Sequence, residues 1–229
     1  MRSAAIIQSN YIPWKGYFHI IRSVDDFVFL DDVQYTPRDW RNRNRIKTSD
    51  GPKWLSVPVH ATRGMAIREA KTAGHAWQQK HLTSLRHAYG RCPCFAQYED
   101  FLVDVYERRQ WEYLWELNHY VTGRVCELLG IATTLHTDAE FDAPQGKNER
   151  LLHILQQLGA RRYVTGPAAA AYLDEELFRR HGIEVEYFSY PAYPEYPQLH
   201  GAFLHQVSVL DLLFHMGGAS PQYIWRSDR

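Results

Sequence analysis

The sequence predicts an α/β protein over residues 1–229, with a mostly parallel, Rossmann-like sheet that carries a helical insertion. Two observations predict the sheet. Short, continuously apolar runs such as Ala4–Gln8 and Phe27–Leu30 read as strands buried on both faces. These runs alternate with segments of helical spacing, the pattern of βαβ units with right-handed crossovers. A third observation predicts the insertion: three helical patterns follow one another without an intervening strand, between about residues 75 and 129.

Taken in order, Ala4–Gln8 is a strand and Trp14–Ser23 a helix, with Tyr17, Ile20 and Ile21 at helical spacing. Phe27–Leu30 is the second strand of that βαβ unit. Trp54–Val59 and Met65–Glu69 read as short strands. Helices are predicted at His75–Tyr89, Phe95–Arg108 and Glu112–Leu129, with Gly90 and Gly130 as C-terminal stops. This block is expected to cap the sheet edge. The alternation then resumes with a strand at Ala132–Leu135, a helix at Asn148–Leu158 and a strand at Arg162–Thr165. A helix at Ala168–His181, a strand at Glu184–Phe188 and a last helix at Ser208–Met216 complete the chain.

Composition narrows the function classes. The chain has 26 basic and 26 acidic residues, so no general field favours nucleic acid or membrane surfaces. No apolar run approaches a membrane span, and no signal-peptide pattern opens the chain. Three cysteines do not make a disulfide framework, and the expected compartment is the cytoplasm. No His/Cys/Asp/Glu spacing reads as a metal site, so no metal is expected. Neither a nucleophile-elbow GxSxG nor a Walker A loop occurs.

The candidate chemistry collects at strand exits, where open α/β sheets bind ligands. At the first exit stand Gln8, Asn10, Tyr11, Trp14 and Tyr17, before a helix start whose free N–H groups suit an anion. At the second stand Asp31, Asp32 and Gln34. Neighbours on an extended chain face opposite ways, so Asp31 and Asp32 do not pair, whereas Asp32 and Gln34 share a face. Parallel neighbouring strands end on one edge, so Tyr11, Trp14, Asp32 and Gln34 are expected in one cleft. If extended, Arg41, Arg43 and Arg45 form a fork for phosphate or carboxylate. Thr165 and Gly166 leave a later strand in similar geometry. His81 falls on one helix face with Trp77 and Leu85, where a core role competes with catalysis. Cys126 reads as core, and Cys92-Pro93-Cys94 lacks the CxxC spacing.

These residues also carry a resemblance. Gln8-Ser9-Asn10-Tyr11-Ile12-Pro13-Trp14-Lys15-Gly16-Tyr17-Phe18 and the run from Phe27 to Lys47 resemble the WbqC-like proteins, whose patterns read IxQPNYxPWxGYF and FVFLDDVQYxKRxWxNRNRIK. Trp54–Val59, Trp77–His81, Tyr163–Ala169 and Leu210–Phe214 fit as well, so the likeness covers nearly the whole chain. Ser9 departs from the pattern, standing where the family has Pro. His205-Gln206 stands where it has Pro-Asn. The family is linked to O-antigen, other surface-polysaccharide and natural-product gene sets.

The resemblance implies a small-metabolite transferase, in its most concrete form an acyl or aminoacyl transferase acting on an amine such as an amino sugar. Asp32 or His81 would deprotonate the acceptor, Gln8, Asn10 and Gln34 would orient it, and the arginines would hold a phosphorylated handle. Candidate donors are carrier-protein-bound or nucleotide-activated groups, with an acyl or peptidyl carrier protein as candidate partner. One alternative is a nucleotidyltransferase-like enzyme, although the paired histidines of that junction are replaced by Trp14-Lys15-Gly16-Tyr17. A carrier- or glycan-binding accessory protein is the other.

Overall fold

The first βαβ unit sets the frame of the computed structural model, which describes residues 1–225. Strand β1 (Ser3–Ile7) leads through helix α1 (Lys15–Arg22) to strand β2 (Asp26–Phe29). β1 and β2 pair in parallel, with Ala5 opposite Phe27 and Ile6 opposite Val28. The chain then leaves the sheet for an antiparallel hairpin, β3 (Arg43–Thr48) and β4 (Gly51–Ser56), and a short ribbon, β5 (Val59–His60) and β6 (Lys71–Thr72). Helices α2 (Ala76–Tyr89), α3 (Glu99–Val103) and α4 (Leu114–Leu129) follow. The chain returns through β7 (Thr134–Thr137), α5 (Lys147–Leu158), β8 (Arg162–Thr165), α6 (Glu175–Arg180) and β9 (Glu184–Tyr187) to α7 (Val209–Met216), which a 3₁₀ helix over Gly217–Tyr223 follows.

Among the described residues, five strands form one parallel sheet in the order β7-β2-β1-β8-β9. Chain order therefore runs outward from β1 on both sides, and the direction of winding reverses between β1 and β8. The crevice outside the carboxyl ends of such a pair is where open α/β sheets bind ligands.

The two faces are covered by different elements because alternate strand residues point opposite ways. Ala5, Phe27 and Phe29 pack under α1 and α4, against Tyr17, Phe18, Ile21 and Val121. Ala4, Ile6 and Val28 pack under α5 and α6, against Leu151, Leu155 and Phe178. Burial of each Val, Leu, Ile or Phe side chain there contributes roughly 1.5–3 kcal/mol. Helix α4 lies on the sheet face, where His119 stacks on Phe29 with ring centres 3.9 Å apart. It ends at Gly130, whose φ of +68° closes the helix in the left-handed region.

Several stretches differ from the sequence expectation. Trp54–Val59, expected as one strand, is divided between β4 and β5, and the strand expected at Ala132–Leu135 runs over Thr134–Thr137. Met65–Glu69 is no strand: the Glu69 carboxylate takes the Ala66 N–H at 2.7 Å and closes a 3₁₀ turn over Ile67–Glu69. The helical stretch from Phe95 to Arg108 changes its hydrogen-bond span twice, from 3₁₀ to α to π. The helix expected over Ala168–His181 is divided. Pro167–Ala171 is a 3₁₀ turn, and Asp174 starts α6 afresh by accepting the Leu177 N–H at 3.1 Å.

Candidate functional site

Clefts open at the carboxyl edge of the sheet, and the first, of about 540 Å³, lies beside the turn between β1 and α1. Asn10, Pro13 and Trp14 supply one wall, Trp40, Asn44 and Arg45 a second, and Tyr190–Tyr193 with His205 and Gln206 the rest. The turn is held in an uncommon backbone shape. Ile12 has φ of +36°, rare for a β-branched residue. Asn44 fixes it by donating to the carbonyls of Tyr11 at 3.3 Å and Ile12 at 2.9 Å. Further clamps come from Trp40, whose carbonyl accepts the Tyr11 N–H, and from Val209, whose N–H meets the Pro13 carbonyl, both at 2.9 Å. The Trp14 indole lies over Gly16, where a Cβ would stand 2.3 Å from the ring. It meets Tyr190 at 5.1 Å and Tyr193 at 5.9 Å between ring centres. The cleft therefore offers aromatic faces beside a few polar groups, a common composition for a metabolite site.

The three arginines do not form one fork. Arg41 precedes β3 and turns inward, donating to the side-chain oxygen of Asn10 and lying 3.6 Å from Asp39. Its Nε is buried without a partner among the described residues. Arg43 and Arg45 share a face of β3 and stack on Trp54, 4.2 and 5.5 Å from its ring centre. Of the three, Arg45 alone lines the cleft, where it donates to Gln206 at 2.8 Å.

Neighbouring Lys15 is buried in an aromatic cage, its ammonium 4.9 Å from the Tyr193 ring centre and 5.4 Å from that of Tyr196. Burial lowers its pKa to about 8.

The second strand exit divides its two aspartates, as extended-chain alternation requires. Asp31 is buried on the α4 side, accepting the Ser9 N–H at 3.2 Å and facing His119 Nε2 at 2.6 Å. Asp32 turns to the other face, 3.0 Å from the Arg150 guanidinium. Asp138 ties the two together by accepting both backbone N–H groups, at 3.0 and 2.8 Å. Burial raises the Asp138 pKa even though Arg68 pairs with it. Asp31 lines a second cleft of about 470 Å³ with Arg68, Lys71, Tyr113, Trp115 and Glu116. Asp32 lines a smaller one of about 200 Å³ with Arg68, Asp138 and Arg150.

Tyr11, Trp14, Asp32 and Gln34 therefore do not share one cleft. Trp14 and Asp32 line different ones, and Gln34 is exposed in a bridge to Ala66. Tyr11 is core, its hydroxyl 2.8 Å from His81 Nδ1 and 2.6 Å from the Tyr106 hydroxyl. His81 is buried with it, and desolvation lowers its pKa to about 4, so the ring is neutral at pH 7. It lines none of the three clefts. Gln8 contributes its backbone carbonyl, which accepts the Tyr17 hydroxyl at 3.1 Å. Thr165 is buried at the end of β8, and Gly166 leads into a 3₁₀ turn rather than an α-helix. Sequence reasoning gives no weight to His119 or Trp115, and reads the aromatic loop from Tyr190 to Pro197 as a lid or partner surface rather than as a wall of this cleft.

A model of the WbqC-like protein family matches residues 8–223. The chain is 44% identical over 226 residues to uncharacterized protein Rv1507c of Mycobacterium tuberculosis (strain ATCC 25618 / H37Rv), a match covering 98% of each chain. No solved structure matches.

Proposed function

The chain belongs to the WbqC-like protein family, and on that premise we propose that it is a small-metabolite transferase of glycan or natural-product assembly, joining an acyl or aminoacyl group to an amine. One observation carries most weight: Asn10, Trp14, Asn44 and Arg45 converge with Tyr190 and Tyr193 on a cleft of about 540 Å³ at the carboxyl edge of the sheet. In this assignment Trp14 and Tyr190 stack on the flat or apolar part of an activated donor. Arg45 meets its phosphate or carboxylate as a planar fork, and Asn10, steadied by Arg41, orients the reacting end.

A nucleotide-activated donor is a second reading with a specific basis, because the winding of the sheet reverses between β1 and β8, as in nucleotide-binding folds. Among the described residues no helix is long and apolar enough to cross a membrane.

The experiment is mass analysis of whatever small molecule co-purifies with the chain and with Trp14→Ala. An activated acyl or aminoacyl compound that the variant loses supports the proposal. Release of pyrophosphate from ATP or CTP on addition of sugar phosphates would favour nucleotidyl transfer instead.

A further inference from the structure

We propose that His119 and Asp31 are a general-base pair, and that the second cleft holds the acceptor whose proton they remove. The acceptor's chemical class, an amine, rests on the transfer assigned above. The pair itself rests on geometry.

The pair is built from two distant parts of the chain. Asp31 follows β2, and its side chain is 1% exposed. One carboxylate oxygen takes the Ser9 N–H at 3.2 Å, and the other lies 2.6 Å from His119 Nε2. The imidazole stacks flat on Phe29, 3.9 Å between centres at 19°, with Trp115 edge-on at 5.2 Å. Carboxylate, Phe29 and Trp115 together leave the ring one orientation. With Nε2–H donated to the Asp31 carboxylate, the ring's lone pair falls on Nδ1. Nδ1 makes no hydrogen bond among the described residues and is not a buried atom. The imidazole is 17% exposed, so a proton can reach it. A base oriented by a buried carboxylate is a recurrent arrangement for activating a nucleophile.

The cleft beside the pair is suited to an amine-bearing, partly flat acceptor. His119 stands behind this lining rather than in it: its two contacts Asp31 and Trp115 line the cleft, with Glu69, Glu116, Arg68 and Lys71 as further charged groups and Tyr113 as a second aromatic wall. The two clefts share no lining residue, but a buried hydrogen-bonded link joins their walls. Ser9, bound to Asp31, precedes Asn10 of the first cleft, and Asn118, next to His119, donates to Ser9 Oγ at 3.3 Å and to the Arg41 carbonyl at 2.9 Å.

In the step assigned here, the acceptor nitrogen attacks the carbonyl carbon of an ester or thioester donor. The N–C bond forms, the bond from carbon to the leaving group breaks, and the leaving group departs with its electron pair. The nitrogen's proton passes to His119 Nδ1 and then to solvent.

The test uses p-nitrophenyl acetate as donor, with glucosamine or water as acceptor, on the wild-type chain, His119→Ala, His119→Gln and Asp31→Asn, each checked for folding by circular dichroism. Nitrophenolate release should fall on the order of 100-fold in both His119 variants, the usual contribution of a general base. Free imidazole should restore part of the loss in His119→Ala. Imidazole-nitrogen NMR should show the Nε2-protonated ring in the wild type and lose that bias in Asp31→Asn. Release that stays equal in wild type and the His119 variants, or an Nδ1-protonated ring, overturns the pair. Hydrolysis that depends on His119 without any N-acetylated product keeps the pair and counts against the amine transfer alone.

Discussion

The side-chain amide of Asn44 donates to the carbonyl of Ile12 at 2.9 Å and so holds a β-branched residue at φ of +36°. Backbone in this region is strained by roughly 1–3 kcal/mol and persists only where its surroundings over-determine it. Asn44→Ala removes three hydrogen bonds of a buried amide, two donated and one accepted from the Arg45 N–H, and should destabilise the chain by about 1–3 kcal/mol. Urea unfolding checks the stability. Changed near-ultraviolet dichroism should report the shift of neighbouring Tyr11 and Trp14. A stable variant with unchanged spectra would mean that the turn needs no clamp.

Gly16 and Trp14 form a second dependency. A methyl group at Gly16 would meet the indole at 2.3 Å, so Gly16→Ala must displace the ring that lines the first cleft. Alanine favours a helix over glycine by about 0.5–1 kcal/mol, which offsets part of the crowding. The expected outcome is a nearly unchanged melting temperature, a shifted tryptophan emission and weakened ligand binding. A large fall in melting temperature with intact binding would contradict it.

His81 sets a stability limb in acid. Its pKa lies near 4 in the fold against an ordinary 6.5, so between those values the unfolded chain binds more protons. Stability from this site is complete above pH 6.5 and is lost as pH falls towards 4, by on the order of 2–3 kcal/mol. Urea titrations at pH 7, 5.5 and 4.5 should show the loss in the wild type and a shallower slope in His81→Phe. Parallel slopes would remove His81 from the acid limb.

The thiols are expected to be dispensable. Burial pushes Cys92 up to about 12, so it is no thiolate at neutral pH, and its sulfur lies 3.3 Å from His215 Nε2. Cys92→Ser with Cys94→Ser should fold and retain ligand binding, at a modest stability cost read by thermal melting. Loss of turnover in that variant without loss of fold would revive a thiol mechanism.

The sheet was legible because its strands are short apolar runs between polar turns, and the opposite facing of Asp31 and Asp32 followed from strand alternation alone. The site was legible only in part. Asp31 and His119 are 88 residues apart, and nothing local to either announces the other. The arginine run looked like one comb because its spacing is even. Strand β3 begins only at Arg43, though, and Arg41 before it turns to Asn10. Tyr11 reads as site chemistry from its place at a strand exit, and for His81 a core role competes with the catalysis that the family resemblance implies; long-range packing buries both.

Calorimetric titration of the chain with UDP-N-acetylglucosamine and with simple acyl phosphates, beside filter binding of single-stranded RNA at physiological salt, tests the first cleft most directly. Arg45 lines that cleft and Arg43 does not. Arg45→Ala should therefore weaken a phosphorylated ligand by about 1.5–3 kcal/mol, the contribution of a charge-assisted hydrogen bond, or roughly 10- to 150-fold in affinity. Arg43→Ala should change it less, and RNA should bind weakly to all three proteins. Submicromolar RNA binding that disappears in Arg45→Ala, with no small anion bound, would contradict the assignment of the cleft to a metabolite.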